Sequence, residues 1–391
     1  MPTSEAAHAA WAREYVTRRV TLKRGDPEPF KTGQWLGKGG WSEVYETGIG
    51  GTVVALKRVY FRNTPRERIL CLNELDILEK MSGRRHRHVV ELIGSYELPL
   101  RGNNSQLGLL VWPVAQCDLS RFLGCLDLLG RLFERITADK DQAWTPKPEE
   151  EDALDEISRL NLFPWDKKIR KTQIQEGRYS RFVLMDLHRD CVYRLFTMVG
   201  CLAQAIAYLH DDQKIRHKDL KPSQVLLSSD GLWLTDFGWS MDVSELSNSA
   251  TNNGGATSVK YHAPERATRG QRFCGRPEDI FALGCIFLEM TYRMWWMVAE
   301  DYLNPGAESG WSYQANLDLK TYWLEPLQIR ARASRPPNPE IEHLTALIDQ
   351  MLDPEPTTRP RIRDIVDTLA VDLGDSNPFF GNCCLPVKES A

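Results

Sequence analysis

"IRHKDLKPSQVLL", Ile215 to Leu227, sets one acid, Asp219, between two lysines, Lys218 and Lys221, and follows it with an amide, Gln224. An aspartate is most often a surface charge or a helix cap. Here the acid belongs to a tight set of charged and amide groups, so the stretch poses a choice between chemistry and scaffold. The segments before and after it, taken in order, make that choice.

Upstream, Gln34 to Val59 reads as strand, tight loop, strand, turn, strand. "LGKGGWSEVYE" carries glycines between apolar ends, and "GTVVALKRV" is a β-branched strand. Gly37 and Gly39 let amide N–H groups face an anion with no Cβ in the way. Taken alone, a glycine hairpin is more often only a turn. Lys57 closes the strand "VVALK", where a lone lysine is usually a solvated edge charge. The next segment, "TPRERILCLNELDILEKM", opens with Thr64, Pro65 and Glu67, an N-cap, a first-turn proline and a capping-box acid. Ile69, Leu72, Leu75, Ile77 and Leu78 give the predicted helix an apolar face. Glu74 lies beside that face, and a buried carboxylate needs a partner, for which Lys57 is the candidate. "LGLLVWPVAQCDL" then runs from a buried strand into a polar break. Asp118 in that break is either a ligand for a hydroxyl or the N-cap of the following helix.

Downstream stand Asp236-Phe237-Gly238, Ala263-Pro264-Glu265, Asp279 in "EDIFALG" and Arg359 in "TTRPRI". Together with Gly37-x-Gly39, Ala55-Leu56-Lys57, Glu74 and His217-Lys218-Asp219-Leu220-Lys221, they resemble a eukaryotic-type Ser/Thr protein kinase domain, in the style of filamentous-fungal kinases. The resemblance runs from about Gln34 to Leu369. It implies an α+β, bilobal fold with a small β-rich N-lobe and a larger helical C-lobe that carries an insertion. The implied domains are an N-terminal extension (1–30), the N-lobe (31–115), the C-lobe (116–370, insertion about 127–188) and a C-terminal tail (371–391).

The same resemblance implies ATP with Mg²⁺, or Mn²⁺ in its place, and a protein substrate phosphorylated on Ser or Thr. Phosphoryl transfer needs positioned oxygens, neutralised phosphate charge and an oriented nucleophile. Asp219 is expected to take the hydroxyl proton, Lys221 to face the transferred phosphate, and Lys57, set by Glu74, to hold the other phosphates. Gly37, Gly39, Val44, Ala55, Trp112, Val114, Asp118 and Leu226 are the remaining implied ATP contacts, with Trp112 at the back of the adenine pocket. Asp236 and Gln224 are the implied metal ligands. Ser258, Ala263, Pro264, Glu265 and Arg359 are assigned to the activation segment and substrate platform, with Glu265 and Arg359 as a buried ion pair.

Three positions depart from the pattern. Ser42 replaces the third glycine, Lys218 replaces an arginine, and Gln224 replaces an asparagine. Lys218 keeps the charge but loses the planar fork that grips a phosphorylated residue. Gln224 offers the same amide oxygen one methylene further out, where Mg²⁺ tolerates little displacement. These departures motivate an alternative, a pseudokinase that binds nucleotide or acts as a scaffold.

The insertion is segregated by charge. "PKPEEEDALDEI" is acidic and "DKKIRKTQIQEGRYSR" is basic, so it is either a solvated, partly helical or disordered segment or a docking site for a regulatory partner. "SELSNSATNNGGATS" contains the candidate phosphorylation sites Ser247, Ser249, Thr251 and Thr257. The tryptophan-rich "MWWM", "GWSY" and "DLKTYWLEPL" suit core packing. In the tail, Phe379 and Phe380 are expected to dock back onto the domain.

Composition is ordinary for a globular protein: 391 residues, 42% hydrophobic and 26% charged. A net charge of -4 gives no footprint for nucleic acid. The nine cysteines contain no C-x-x-C pair, which argues against a disulfide framework or a structural zinc site. No uninterrupted apolar run long enough for a membrane span is expected, and the N-terminus lacks the apolar core of a secretory signal. Glu5 and Glu14 count against a mitochondrial presequence, leaving cytoplasm or nucleus as the expected compartment.

Overall fold

The computed structural model describes residues 3–39, 42–138, 147–160, 181–244, 259–267, 275–304, 310–371 and 377–384. The chain divides into a sheet unit (Met1–Ala115, Gln213–His217, Trp233–Ser244) and a larger unit (Gln116–Asp212, Lys218–Leu232, Glu245–Ala391). One is rich in β-structure and the other in helix, as the expected α+β, two-lobed fold requires.

Six strands build the main sheet of the sheet unit: β1 (Arg19–Thr21), β2 (Trp35–Lys38), β3 (Ser42–Ile49), β4 (Thr52–Arg62), β5 (Glu91–Pro99) and β6 (Asn104–Trp112), in the order β1-β5-β6-β4-β3-β2. β1 runs parallel to β5, and the other pairings are antiparallel. Alternation along β4 sends Val54 and Leu56 into the core and leaves Ala55 and Lys57 on the opposite face. Val44 of β3 lies directly across from Lys57, so Val44, Ala55 and Lys57 share that face.

The core on the other face is completed from the N-terminal residues. The helix Glu5–Glu14 buries Ala7 and Trp11, which pack with Phe30, Val54, Leu56 and Tyr96. Trp11 lies flat on Gly94 of β5, where a Cβ would stand 2.2 Å from the indole. Gly50, at the β3–β4 turn, has φ +58°, and a Cβ there would meet Ala10 at 2.5 Å. Glycine is required at both positions for close approach.

The helix Pro65–Met81 begins as its sequence predicts, with the Thr64 hydroxyl accepting the Glu67 N–H at 3.3 Å. The Glu67 carboxylate does not close the expected capping box; it accepts the Arg62 N–H at 2.9 Å. Leu75, Ile77, Leu78 and Met81 form the buried face, whereas Ile69, expected there, is 70% exposed.

In the larger unit the helix Arg276–Met294 is buried along nearly its whole length. Trp323 is fully buried and meets Tyr313 edge-on with ring centroids 5.6 Å apart, so the tryptophan-rich stretches do pack a core. The helix Leu119–Ala138 runs on into the segment read as an insertion. The acidic stretch forms the helix Pro148–Arg159, which buries Ala153, Leu154 and Ile157. Its buried acids are paired: Glu150 with Arg135 at 2.5 Å and Glu156 with Arg121 at 2.8 Å. That half of the insertion is therefore a packed helix, while most of the basic half, 166–181, lies outside the described residues. The apolar stretch Leu184–Asp212 has the length and hydropathy of a membrane span, but 78% of its most apolar window is buried, as in a core helix.

Candidate active site

The site residues of the sheet unit gather around one lysine. Lys57 Nζ donates to both Glu74 carboxylate oxygens, at 2.8 and 2.6 Å, and to Asp236 Oδ1 at 2.9 Å. β4 delivers the lysine, the helix Pro65–Met81 the glutamate, and a turn after Leu234 the aspartate. Burial pulls the Lys57 pKa down, but the two carboxylates more than reverse this and hold it above the ordinary lysine value. Burial raises the Glu74 pKa, and the Asp236 charge adds to that against the opposing pull of Lys57.

Asp236 itself adopts φ +61°, ψ +68°, a left-handed conformation that a non-glycine residue holds only when its surroundings enforce it. The enforcement is visible. Phe237 is fully buried beside the His217 ring, whose Nε2 meets Thr235 O at 3.1 Å. Asn73 Nδ2 donates to Gly238 O and Ser240 O, both at 3.0 Å. Asn73 escaped the sequence reading, and its only signal there is its place next to Glu74.

Gly37 pairs with Val44 beyond a bulge, and a Cβ on it would meet nothing. Gly39 donates its N–H to Ser42 O at 2.8 Å, and a Cβ on it would stand 2.6 Å from the Ser42 hydroxyl. The serine in place of the third glycine thus occupies space that Gly39 leaves open. Trp112 is half-buried, edge-on to Trp233 at 6.4 Å, and Val114 is also half-buried.

The larger unit holds the second set. Asp219 is buried and its Oδ2 accepts from Lys221 Nζ at 2.6 Å. Gln224 ends a single 3₁₀ turn, Pro222–Gln224, and is buried. Lys218 has φ +67°. Its N–H donates to Asp279 Oδ1 at 2.8 Å, and its C=O accepts from Arg266 Nη1 at 2.7 Å. His210 Nε2 meets the other Asp279 oxygen at 2.9 Å, and Arg266 also pairs with Glu278 at 2.5 Å. His262 feels the charges of Arg266, Asp219 and Lys221; burial first, then the cations, push its pKa down to about 4 against the pull of Asp219. No role had been read for Arg266 or His262. Both flank Ala263-Pro264-Glu265, which was the available signal.

Asp118 Oδ1 accepts the Arg121 N–H at 2.9 Å, so this acid caps the helix Leu119–Ala138. Its strand partner is Leu226, which is half-buried. Ala263 is fully buried, Pro264 opens a one-turn helix, and Glu265 meets Arg359 through two bonds of 2.8 Å. Ser258, like Ser247, Ser249, Thr251 and Thr257, lies outside the described residues.

Residues 188–369 match the family model of the protein kinase domain. The chain is similar to the serine/threonine-protein kinase crk1 of Schizosaccharomyces pombe, 28% identical over 42% of this chain and 51% of that protein. It is also similar to the serine/threonine-protein kinase HAL4/SAT4 of Saccharomyces cerevisiae, 31% identical over 46% of this chain and 27% of that one. Over a longer stretch it resembles the leucine-rich repeat receptor-like protein kinase PEPR1 of Arabidopsis thaliana, 24% identical over 85% of this chain and 24% of the relative. The chain thus spans about half or less of the length of these relatives.

Proposed function

We propose that this chain, which carries a eukaryotic-type Ser/Thr protein kinase domain, transfers the γ-phosphoryl group of ATP to Ser or Thr hydroxyls of protein substrates. The observation that carries this reading is the position of Lys57 Nζ, within 2.9 Å of both Glu74 and Asp236. A half-buried, charged lysine held by a carboxylate suits phosphate oxygens, because a cation in a low-dielectric setting attracts them strongly and costs no reorganisation when they arrive.

The other roles follow from chemistry. Asp219 would accept the hydroxyl proton, and Lys221, already hydrogen-bonded to it, would neutralise charge on the transferred group. Val44 and Ala55, on the Lys57 face of the sheet, offer apolar contact for a base. The open space at Gly37, where a Cβ would meet nothing, leaves room for a phosphate to approach the backbone. In the sheet unit the Asp236 side chain is 39% exposed and offers the carboxylate oxygen a hard divalent cation takes; in the larger unit Gln224 carries an amide oxygen of the same hard class. When bound, Mg²⁺ or Mn²⁺ would neutralise phosphate charge. Glu265 and Arg359 would brace the segment that presents the peptide, and the protein is proposed to act in cytoplasm or nucleus.

The test is γ-phosphate transfer by the purified chain to itself and to a generic basic protein, with Mg²⁺ or Mn²⁺, beside Asp219→Ala. Loss of a general base costs about 10²- to 10⁴-fold. A signal that falls by that much in the variant supports the proposal. Equal signals from both proteins, or none from the parent with either metal, would overturn it.

A further inference from the structure

The C-terminal residues Asn377–Cys384 are seated on the helix Arg181–Ala207, and the seat brings three thiols together. Phe379 O accepts the Gly200 N–H at 2.8 Å, and a Cβ on Gly200 would stand 2.5 Å from that oxygen and 2.6 Å from the Phe380 ring. Phe379 is fully buried, with its ring 5.8 Å from that of Phe196. Asn377 Nδ2 anchors the start of the segment on Leu369 O at 2.6 Å. With the backbone so held, Cys383 Sγ comes to 3.6 Å from Cys201 Sγ, 182 residues earlier in the chain. The sulfurs of Cys201, Cys383 and Cys384 all lie within 4.8 Å of one another.

We propose that Cys201, Cys383 and Cys384 form a thiolate site for Zn²⁺ that clamps the tail to this helix. The spacing distinguishes the possibilities. A disulfide brings its sulfurs to about 2.05 Å. Sulfurs about 2.3 Å from one tetrahedral zinc stand about 3.8 Å apart. The thiol contact of 3.6 Å between Cys201 and Cys383 is far longer than a disulfide and close to that zinc edge. Three thiolates leave the fourth position of the ion for a further donor.

Charge supports the same reading. The buried Arg194 guanidinium, fixed on Ser228 O and Gly231 O at 2.9 and 2.7 Å, feels the Cys201 and Cys383 charges. Arg194 and a divalent ion together offset three thiolates. Binding releases the thiol protons to solvent, so affinity must rise with pH.

The test titrates the reduced full-length chain with Cd²⁺, a probe with a thiolate charge-transfer band, and then with Zn²⁺ as competitor. One Cd²⁺ per chain, displaced by Zn²⁺, is expected for the parent and for the control Cys71→Ser, whose residue lies in the sheet unit. Loss of that equivalent is expected for Cys201→Ser and for the double exchange Cys383→Ser/Cys384→Ser. Because the buried Cys201 variant can fail to fold, the half-buried pair carries the decision. Its melting point should no longer rise with added Zn²⁺, as the parent's does. Cd²⁺ bound equally by the tail variant, no bound equivalent in the parent, or a Cys201–Cys383 disulfide found by peptide mapping would each overturn the site.

Discussion

Removing Arg359 should unfold the larger unit far more readily than removing any surface arginine. A guanidinium has five N–H donors. In Arg359 each has an acceptor: Nε meets Asp353 O at 2.8 Å; Nη1 meets Glu265 Oε1 at 2.8 Å and Pro277 O at 2.9 Å; Nη2 meets Glu265 Oε2 at 2.8 Å and Pro354 O at 3.3 Å. The group also lies 5.0 Å above the Phe281 ring, and both partners of the ion pair are almost fully buried. Arg359→Ala strands the buried Glu265 carboxylate without its counter-ion, which costs about 3–5 kcal/mol. For a unit of this size that corresponds to a fall in melting temperature of about 6–20 °C.

Differential scanning fluorimetry and urea unfolding would measure the loss. Arg359→Lys should recover only part of it, because an ammonium has three donors and no fork. The pair Glu265→Leu/Arg359→Met should be less damaging than Arg359→Ala, since no charge is left buried alone. A melting point for Arg359→Ala within about 2 °C of the parent, the scale of an exposed pair, would refute the reasoning.

Gln224→Asn should raise Mg²⁺-supported turnover and shift the Mg²⁺/Mn²⁺ rate ratio toward Mg²⁺ by about tenfold, the scale of a metal-site adjustment; an unchanged ratio would show that the longer amide costs nothing. Gly94→Ala should destabilise the sheet unit by about 1–3 kcal/mol by driving Trp11 off β5, seen in urea unfolding followed by tryptophan fluorescence. His188 is buried, with Nε2 2.9 Å from Arg293 O, and burial pushes its pKa from 6.5 to about 4. The unfolded chain therefore binds its proton first, so stability should be full above pH 6.5 and fall as pH drops toward 4, by about 3 kcal/mol from this group. His188→Phe should flatten that slope in unfolding curves measured across the range.

The fold class was legible because Gly37, Lys57, Glu74, Asp219, Asp236 and Arg359 are chemically unusual residues in a fixed order, and each carries its reason for being there. The cap at Thr64 was legible for the same kind of reason, since Thr, Pro and Glu in the first turn have a local meaning. What the sequence hid depends on pairing between distant segments. Asn73 reads as one more polar residue until its amide meets Gly238 O and Ser240 O. Ile69 fits an apolar face, but the helix turns it to solvent. The acidic run at 148–159 looks solvated in sequence but is packed, because two of its glutamates find Arg121 and Arg135, which no local pattern connects to them. The three-thiol site proposed above is the extreme case, because cysteine spacing sees only short-range motifs.

The substitution that first set the catalytic stretch apart, lysine at 218, also changes meaning once its backbone is considered. A residue at φ +67° stays there only if its peptide groups are held. The Lys218 N–H is held by Asp279, which His210 contacts through its second oxygen, and the Lys218 C=O by Arg266, which Glu278 pairs. Asp279 and Arg266 reach Lys218 through its main chain, and neither bond uses the side chain at 218. These two bonds hold the backbone before Asp219 whether position 218 carries a guanidinium or an ammonium. Exchanging Arg for Lys there alters what the side chain can grip and leaves both main-chain bonds in place, which is why the departure at 218 weighs little against catalysis.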